Sequence, residues 1–183
     1  MEKKYVFIFL ILLILVFNLT AKAQNTESVL EKKNPEGYLF YHYSYAFLDI
    51  SLVYPKGWIN YSSQERGILI YTPDSIGVAM LLGTPLFGED YTLEKLWAEN
   101  MENLKSGGAV FQEISSATLS GYPAIKAFHT IKIGNSLYQY VRYSALIGDM
   151  FYTFSFHAPA NDFQKYLTEI LTIIDSVTIK VFE

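Results

Sequence analysis

The sequence predicts an α+β fold in which an antiparallel β-sheet is flanked by helices. Residues 124–157 contain three strand-like segments separated by the pairs Gly134-Asn135 and Gly148-Asp149, and such two-residue links are typical of β-hairpins. Apolar residues recur at helical spacing before this region, over 93–104, and after it, over 161–175. An antiparallel meander with a helix before and a helix after it is typical of an α+β sandwich.

Strands are predicted along the domain where apolar or aromatic residues cluster between turn residues. The first is the most aromatic, with four tyrosines and a phenylalanine in eight residues. Later segments end at proline or glycine, and residues 125–133 alternate apolar with polar side chains. The predicted strands are 38–45, 50–54, 67–71, 77–83, 110–120, 125–133, 137–147, 150–157 and 177–181.

Two helices are predicted from apolar residues that fall on one helical face. The first carries Leu93, Leu96, Trp97, Met101 and Leu104. Its N-cap is expected at Thr92 and its end at the glycines 107–108. The second helix carries a longer apolar stripe, and Asn161 with Gln164 fits a capping box. Its stripe consists of Phe163, Tyr166, Leu167, Ile170, Ile173, Ile174 and Val177.

The first 23 residues predict a secretory signal peptide. Lys3 and Lys4 supply positive charge, residues 5–19 form an apolar run without charge, and Ala21-Lys22-Ala23 provides small residues for cleavage. The run is shorter than the roughly 20 apolar residues of a membrane-spanning helix. We therefore expect cleavage near Ala23 and a secreted or periplasmic protein. Anchoring by the uncleaved N-terminal segment is the alternative.

The remaining chain is expected to hold one globular domain. Residues 24–36 are polar and predict a flexible N-terminal segment, and residues 37–183 predict the single domain. The 183-residue chain has no cysteine, which excludes a disulfide scaffold, a thiolate metal site and an iron–sulfur cluster. Its net charge of −4 argues against nucleic acid as a partner. Hydrophobic residues make up 51% of the chain, which argues against disorder.

Two turn motifs resemble those of PsbP-like domains. Residues 50–58, ISLVYPKGW, are similar to a strand-and-turn pattern that reads roughly I-x-x-x-Y-P-x-G-W, and residues 121–124, GYPA, are similar to a G-x-P-A turn. The resemblance extends over residues 37–179. It implies an α/β/α sandwich around an antiparallel sheet. It also implies a non-catalytic accessory role, as in the extrinsic lumenal subunits that support the manganese–calcium–chloride centre of photosystem II.

The sequence contains none of the strong catalytic or nucleotide-binding motifs, such as G-x-S-x-G, H-E-x-x-H or a P-loop. We therefore assign no catalytic and no cofactor-binding residue. The expected function is that of an exported, non-catalytic binding domain with a protein or membrane-complex partner. Two alternatives stay open: an accessory protein that binds calcium or manganese, and a hydrolase of unrecognised type that uses His157 or His129 as a base.

The acidic residues Glu89, Asp90 and Glu94 precede or begin the first predicted helix. Grouped carboxylates bind hard cations such as calcium, and they also complement the positive end of a helix. These three residues and His157 are the metal-site candidates. His129 alternates in phase with apolar residues, so we expect a core histidine satisfied by one hydrogen bond.

Tyr138, Tyr140 and Arg142 alternate along one face of the longest predicted strand. Aromatic residues combined with arginine are typical of binding surfaces. The same residues also pack beneath covering helices, where tyrosine rings are buried and the hydroxyls reach a partner. These three side chains are the binding-surface candidates.

Overall fold

The computed structural model describes residues 35–45, 48–62, 67–87 and 91–182, which lie within the compact unit Asn34–Glu183. The predicted signal peptide and most of the predicted flexible segment lie outside these described residues. The described residues form ten strands and two helices. These are β1 Tyr38–Tyr45, β2 Leu48–Pro55, β3 Ile59–Asn60, β4 Ile68–Tyr71, β5 Val78–Pro85, α1 Leu93–Ser106, β6 Val110–Leu119, β7 Tyr122–Ile133, β8 Ser136–Ile147, β9 Met150–Pro159, α2 Ala160–Ser176 and β10 Thr178–Val181.

The strands form two antiparallel sheets. The larger sheet has seven strands in the order β3-β4-β5-β9-β8-β7-β6, and the smaller has the order β1-β2-β10. The predicted meander is confirmed, because β7, β8 and β9 are consecutive neighbours joined by two-residue turns. Gly134 and Gly148 begin these turns at positive φ (61° and 56°), a conformation that glycine adopts without steric cost.

The helices lie on opposite faces of the seven-stranded sheet, which confirms the expected α/β/α sandwich. Helix α2 packs on one face, which we call the core face, and it also contacts β2 of the small sheet. Helix α1 contacts β8 on the opposite face, which we call the outer face. Along β8, Val141 and Tyr143 belong to the core face, whereas Tyr140 and Arg142 belong to the outer face.

The core lies between the seven-stranded sheet and the layer formed by α2 and the small sheet. The apolar stripe of α2 is buried there as the helical spacing predicts, and Ile170 and Ile173 are fully enclosed. Trp58, the last residue of the first PsbP-like motif, packs edge-on against Tyr166 with ring centroids 5.7 Å apart. Gly57 makes the preceding turn at a φ of +99°, so the motif carries the chain into the core at Trp58.

Helix starts agree with the sequence at α1 and differ at α2. The Thr92 hydroxyl accepts a hydrogen bond from the Lys95 backbone N–H at 3.3 Å, as expected of the N-cap. The predicted capping box at Asn161 and Gln164 is wrong. Strand β9 runs to Pro159, which occupies the N-cap position without a side-chain hydrogen bond. The chain therefore passes from strand to helix with no turn residues between them.

Side-chain hydrogen bonds join the small sheet to the seven-stranded sheet and to helix α2. The backbone N–H of Ile179 in β10 donates to the Ser120 hydroxyl at 2.7 Å, and Ser120 lies in the turn between β6 and β7. The N–H of Val53 in β2 donates to the Ser176 hydroxyl at 2.9 Å, at the end of α2. Both serines satisfy backbone donors of the small sheet that no neighbouring strand satisfies.

Candidate functional site

Four rings lie side by side across the outer face in register with one another. Phe111 of β6 pairs with His129 of β7, His129 with Tyr140 of β8, and Tyr140 with His157 of β9. The successive ring centroids are 5.1, 4.8 and 4.7 Å apart. We call these four residues the aromatic row. Trp97 of α1 packs edge-on against Phe111 at 6.1 Å and so covers one end of the row.

His129 is fully buried in this row. Neither of its ring nitrogens has a hydrogen-bond partner among the described residues. The burial agrees with the expectation from sequence, but the single expected hydrogen bond is not formed in the described part of the chain. Burial lowers the pKa of His129 from 6.5 to about 4, and the positive charge of Arg142 adds to this effect. The ring is therefore neutral at pH 7.

His157 occupies the other end of the row and is half-buried. It shares the outer face with Thr153 and Ser155, as its alternation with them predicts. Its Nδ1 atom is buried without a hydrogen-bond partner in the described residues, and burial lowers the pKa of the ring. His157 thus lies within the packed face of the sheet rather than at an exposed strand end.

Arg142 lies next to the aromatic row, beneath α1. Its Nη1 group donates a hydrogen bond to Oδ1 of Asn100 in α1 at 3.3 Å, while its Nε atom is buried without a partner. None of the ion pairs within the described ranges involves Arg142. Burial lowers its pKa, and the nearby Tyr140 opposes that shift. The guanidinium of Arg142 therefore has no carboxylate partner among the described residues of the outer face.

Tyr138 and Tyr140 extend this cluster along β8 and are both half-buried. Tyr138 meets His157 edge-on at 6.1 Å. Burial raises the pKa of Tyr140, Arg142 lowers it, and the phenol of Tyr138 raises it slightly. The structure thus brings the three binding-surface candidates together with His129 and His157.

His129 and His157 are the two candidate bases in this cluster. Within the described ranges, neither His129 nor His157 hydrogen-bonds to a serine, threonine or carboxylate. Nucleophilic catalysis needs a nucleophile within hydrogen-bond reach of its base and a third group that orients the base. The described side chains form no such set around either histidine.

The metal-site candidates are not brought together in the part of the chain that the structure describes. Glu94 lies exposed in the first turn of α1, where its charge complements the helix N-terminus. His157 belongs to the aromatic row, and Glu89 and Asp90 lie outside the described residues. No group of three or more histidine, aspartate or glutamate side chains in the described ranges is placed to hold a metal ion.

His42, which the sequence places among tyrosines, lies apart from this cluster on β1. It stacks on Phe40 with ring centroids 6.2 Å apart and is hydrogen-bonded to Asp49 of β2.

Of the helices that the structure describes, neither combines the length and the apolar character needed to span a membrane.

Neither of the two described helices lies over the part of the outer face formed by β3 to β5. Helix α1 covers the part formed by β6 to β8, whereas β3 to β5 present apolar side chains to solvent beside the cluster. Tyr61 is 56% exposed, Leu82 45% and Ile59 37%. No local sequence pattern predicts this surface, because it depends on the pairing of β5 with β9. We call it the apolar strip; its residues are Ile59, Tyr61, Leu69, Tyr71, Met80 and Leu82.

Comparisons with known proteins identify the fold. Neither protein-family models nor curated protein sequences match this chain. LpqN of Mycobacterium tuberculosis, described as involved in cell envelope biogenesis, is similar with a TM-score of 0.64 and 16% identity, over 78% of this chain and 91% of LpqN. Cyanobacterial PsbP (CyanoP) of Synechocystis sp. PCC 6803 is similar with a TM-score of 0.59 and 9% identity, over 85% and 99% of the two chains. The PsbP-like fold implied by the sequence motifs is confirmed.

Proposed function

We propose that this protein is an exported, non-catalytic accessory domain that binds a protein partner, in a membrane complex, through the outer face of its seven-stranded sheet. The observation that carries the proposal is the apolar strip. Its side chains lie on a regular sheet face, next to a cluster of histidine, tyrosine and arginine, and no element of the described chain covers them.

An exposed, contiguous apolar surface on a folded domain is typical of an interaction site. Tyrosine and methionine, which the strip contains, are enriched in protein interfaces relative to the rest of the surface. Tyr61 and Tyr71 brace one another edge-on with ring centroids 5.5 Å apart. Because the strip is built on paired strands, it is held in shape before any partner binds, which reduces the entropic cost of association.

Export and the absence of catalysis have separate support. Export rests on the predicted signal peptide of residues 1–23. The non-catalytic role rests on the missing sequence motifs and on the outer-face histidines, which have no nucleophile or orienting group at hydrogen-bond distance in the described ranges. The PsbP-like fold is compatible with export and with a non-catalytic role, but the fold by itself is evidence for neither.

The proposed binding face is tested by introducing a negative charge into the apolar strip. Leu82→Glu puts a carboxylate at an exposed position of β5, and Leu171→Glu puts the same charge at a comparably exposed position of α2, on the other side of the sheet. Tagged parent and variants are cross-linked in the cells that produce the protein, purified, and quantified by mass spectrometry. Thermal melts of each variant check that it is folded.

We expect Leu82→Glu to deplete at least one protein that co-purifies with the parent and with Leu171→Glu. Equal recovery of every co-purifying protein from both variants would contradict the proposed binding face. A reproducible hydrolytic activity of the purified protein, abolished by changing His129 or His157, would contradict the non-catalytic role.

A further inference from the structure

We propose that Arg142 anchors a small-molecule site on the outer face, and that this site binds an organic monocarboxylate with an apolar body. The proposal goes beyond the binding of a protein partner and holds whether or not the apolar strip has one. It rests on the position of Arg142 between α1, the aromatic row and the strip.

Arg142 carries a positive charge that no acidic side chain among the described residues balances. The guanidinium is largely enclosed. Among the described residues, its Nε atom has no hydrogen-bond partner and it takes part in no ion pair. A charge removed from water without a counter-ion is unfavourable. A carboxylate is the group that best relieves this cost, because its two oxygens match the planar donor fork of arginine.

Two neutral hydrogen-bond donors, the phenols of Tyr138 and Tyr140, share the face of β8 that carries Arg142. The phenol of Tyr140 is near enough to the guanidinium for each to shift the pKa of the other, and Tyr138 lies next to Tyr140 on the same face. Neither tyrosine hydroxyl hydrogen-bonds to another described residue, whereas Asn100 already accepts from Arg142. One phenolic donor, Tyr140, therefore lies beside the cation, which suits an anionic oxygen, and Tyr138 lies one position farther along the same face of β8.

The charges of the side chains around Arg142 determine which ligand charge the site favours. His129 and His157 face the same cluster, but burial lowers the pKa of both rings and leaves them neutral at pH 7. Arg142 is then the one cation among these grouped side chains of the outer face. A single positive charge balances a monoanion such as a carboxylate and leaves a phosphate dianion with uncompensated charge.

The strands beside β8 determine where the apolar body of the ligand would lie. The register places Ser155 beside Arg142, and Met80 of β5 beside Ser155. Neighbouring strands are about 4.8 Å apart, so the backbone of Met80 lies about 10 Å from that of Arg142 on the same face. Leu69 of β4 follows Met80 in the same line. A carboxylate held by Arg142 would therefore direct an apolar body onto the strip.

The experiment is a calorimetric titration of the purified protein with three probes. They are 4-phenylbutyrate, its uncharged analogue 4-phenylbutanol, and inorganic phosphate. We expect 4-phenylbutyrate to bind at least about tenfold more tightly than either of the others, which corresponds to the loss of one charge-assisted contact. No measurable binding of 4-phenylbutyrate, or equal binding of the alcohol, would overturn the proposal.

Variants separate a binding role from a structural one. Arg142→Gln should weaken 4-phenylbutyrate binding at least about tenfold without lowering the melting temperature of the free protein, because the variant removes an unpaired buried charge. Lys126→Gln, which removes a surface cation paired with Glu113, should bind as the parent does. Tyr140→Phe keeps the stacked ring and should also weaken binding. Unchanged affinity in both Arg142→Gln and Tyr140→Phe would show that Arg142 only holds α1 to the sheet.

Discussion

The imidazole of His129 is enclosed between Phe111 and Tyr140, and both of its nitrogens are buried without partners among the described residues. A buried polar group without a hydrogen bond costs about 1–3 kcal/mol of folding free energy. A stacked contact with Tyr140 and a tilted contact with Phe111 offset part of that cost, because aromatic pairs contribute beyond the area they bury. In the described structure, His129 is thus stabilised by the packing of its ring and not by hydrogen bonds of its nitrogens.

Acid should destabilise the protein through this ring. The pKa of His129 is lowered from 6.5 to about 4, so between these values the unfolded chain binds a proton that the folded chain does not. The stabilisation is complete above pH 6.5 and is lost as the pH falls toward 4. His157 acts in the same direction. We expect the free energy of unfolding to fall by up to about 3 kcal/mol through His129 over this range, and His157 adds a loss of the same sign.

Replacement of His129 by leucine tests this account. His129→Leu removes the titrating group and the two unpartnered nitrogens, so it should raise the free energy of unfolding at pH 7 by about 1 kcal/mol. It should also flatten the loss of stability between pH 6.5 and 4 without abolishing it, because His157 remains. The measurement is urea unfolding at a series of pH values. His42→Gln, on the exposed strand β1, is the control; an equal flattening by both variants would contradict the account.

At this scale the sequence predicts which side chains share a face but not what they touch. Alternation along β7 and β8 correctly places His129 among apolar residues and groups Tyr138, Tyr140 and Arg142. It does not show that Tyr140 lies between two histidines, because that depends on the register of β8 with both neighbours. Nor does it show that Arg142 has no acidic partner among the described residues, because ion pairs depend on contacts between distant segments.

Helix α2 is the element on which the core depends most. Its apolar stripe packs on the core face and on the small sheet, so truncation there leaves a cavity with walls that cannot close. Ile170→Ala should lower the free energy of unfolding by about 2–5 kcal/mol. Leu171→Ala, one residue along on the 37% exposed side, should change it by less than about 0.5 kcal/mol. Similar losses in chemical denaturation would contradict the assigned helix face.

Element positions could be predicted well where periodicity and turn chemistry agreed. The N-cap Thr92, the glycine at the end of α1 and the glycine turns of the meander all lie where the sequence indicates. The two-residue strand β3 has no period to detect. Pro159 predicted the end of β9 but not the start of α2, because proline suits both an exposed strand end and a helix start.

At the scale of the whole molecule, Ser120 connects the seven-stranded sheet to the small sheet. Ser120 and Gly121 form a two-residue turn with positive φ at both positions (56° and 81°), as a type I′ hairpin requires. That conformation aims the serine hydroxyl at the N–H of Ile179. The second PsbP-like motif, residues 121–124, begins at Gly121 of this turn, so its glycine helps to form the turn that presents Ser120 to the small sheet.

Two substitutions separate the turn from the hydrogen bond. Ser120→Ala loses the bond to Ile179 and retains a side chain at positive φ, so it should cost about 1–2 kcal/mol of stability. Ser120→Gly loses the same bond but relieves the strained backbone, so its cost should be smaller. Urea unfolding measures both. A parent-like stability of Ser120→Ala would contradict the proposed link between the sheets.

The proposed binding face depends on the long-range pairing of β5 with β9. It brings residues 78–85 beside residues 150–159 and so places the apolar strip next to the cluster of Arg142 and His157. No local pattern predicts this long-range pairing, which explains why the sequence led to the cluster but not to the surface beside it.

The most direct test of the binding face is site-specific photo-cross-linking in the cells that produce the protein. A photoreactive amino acid is placed at Tyr61 in the strip, or at Leu171 on α2 as the control. We predict a discrete cross-linked product from position 61 that is absent from position 171 and is weakened by Leu82→Glu. The absence of any product at position 61, or the same products at both positions, would contradict a partner-binding role for the outer face.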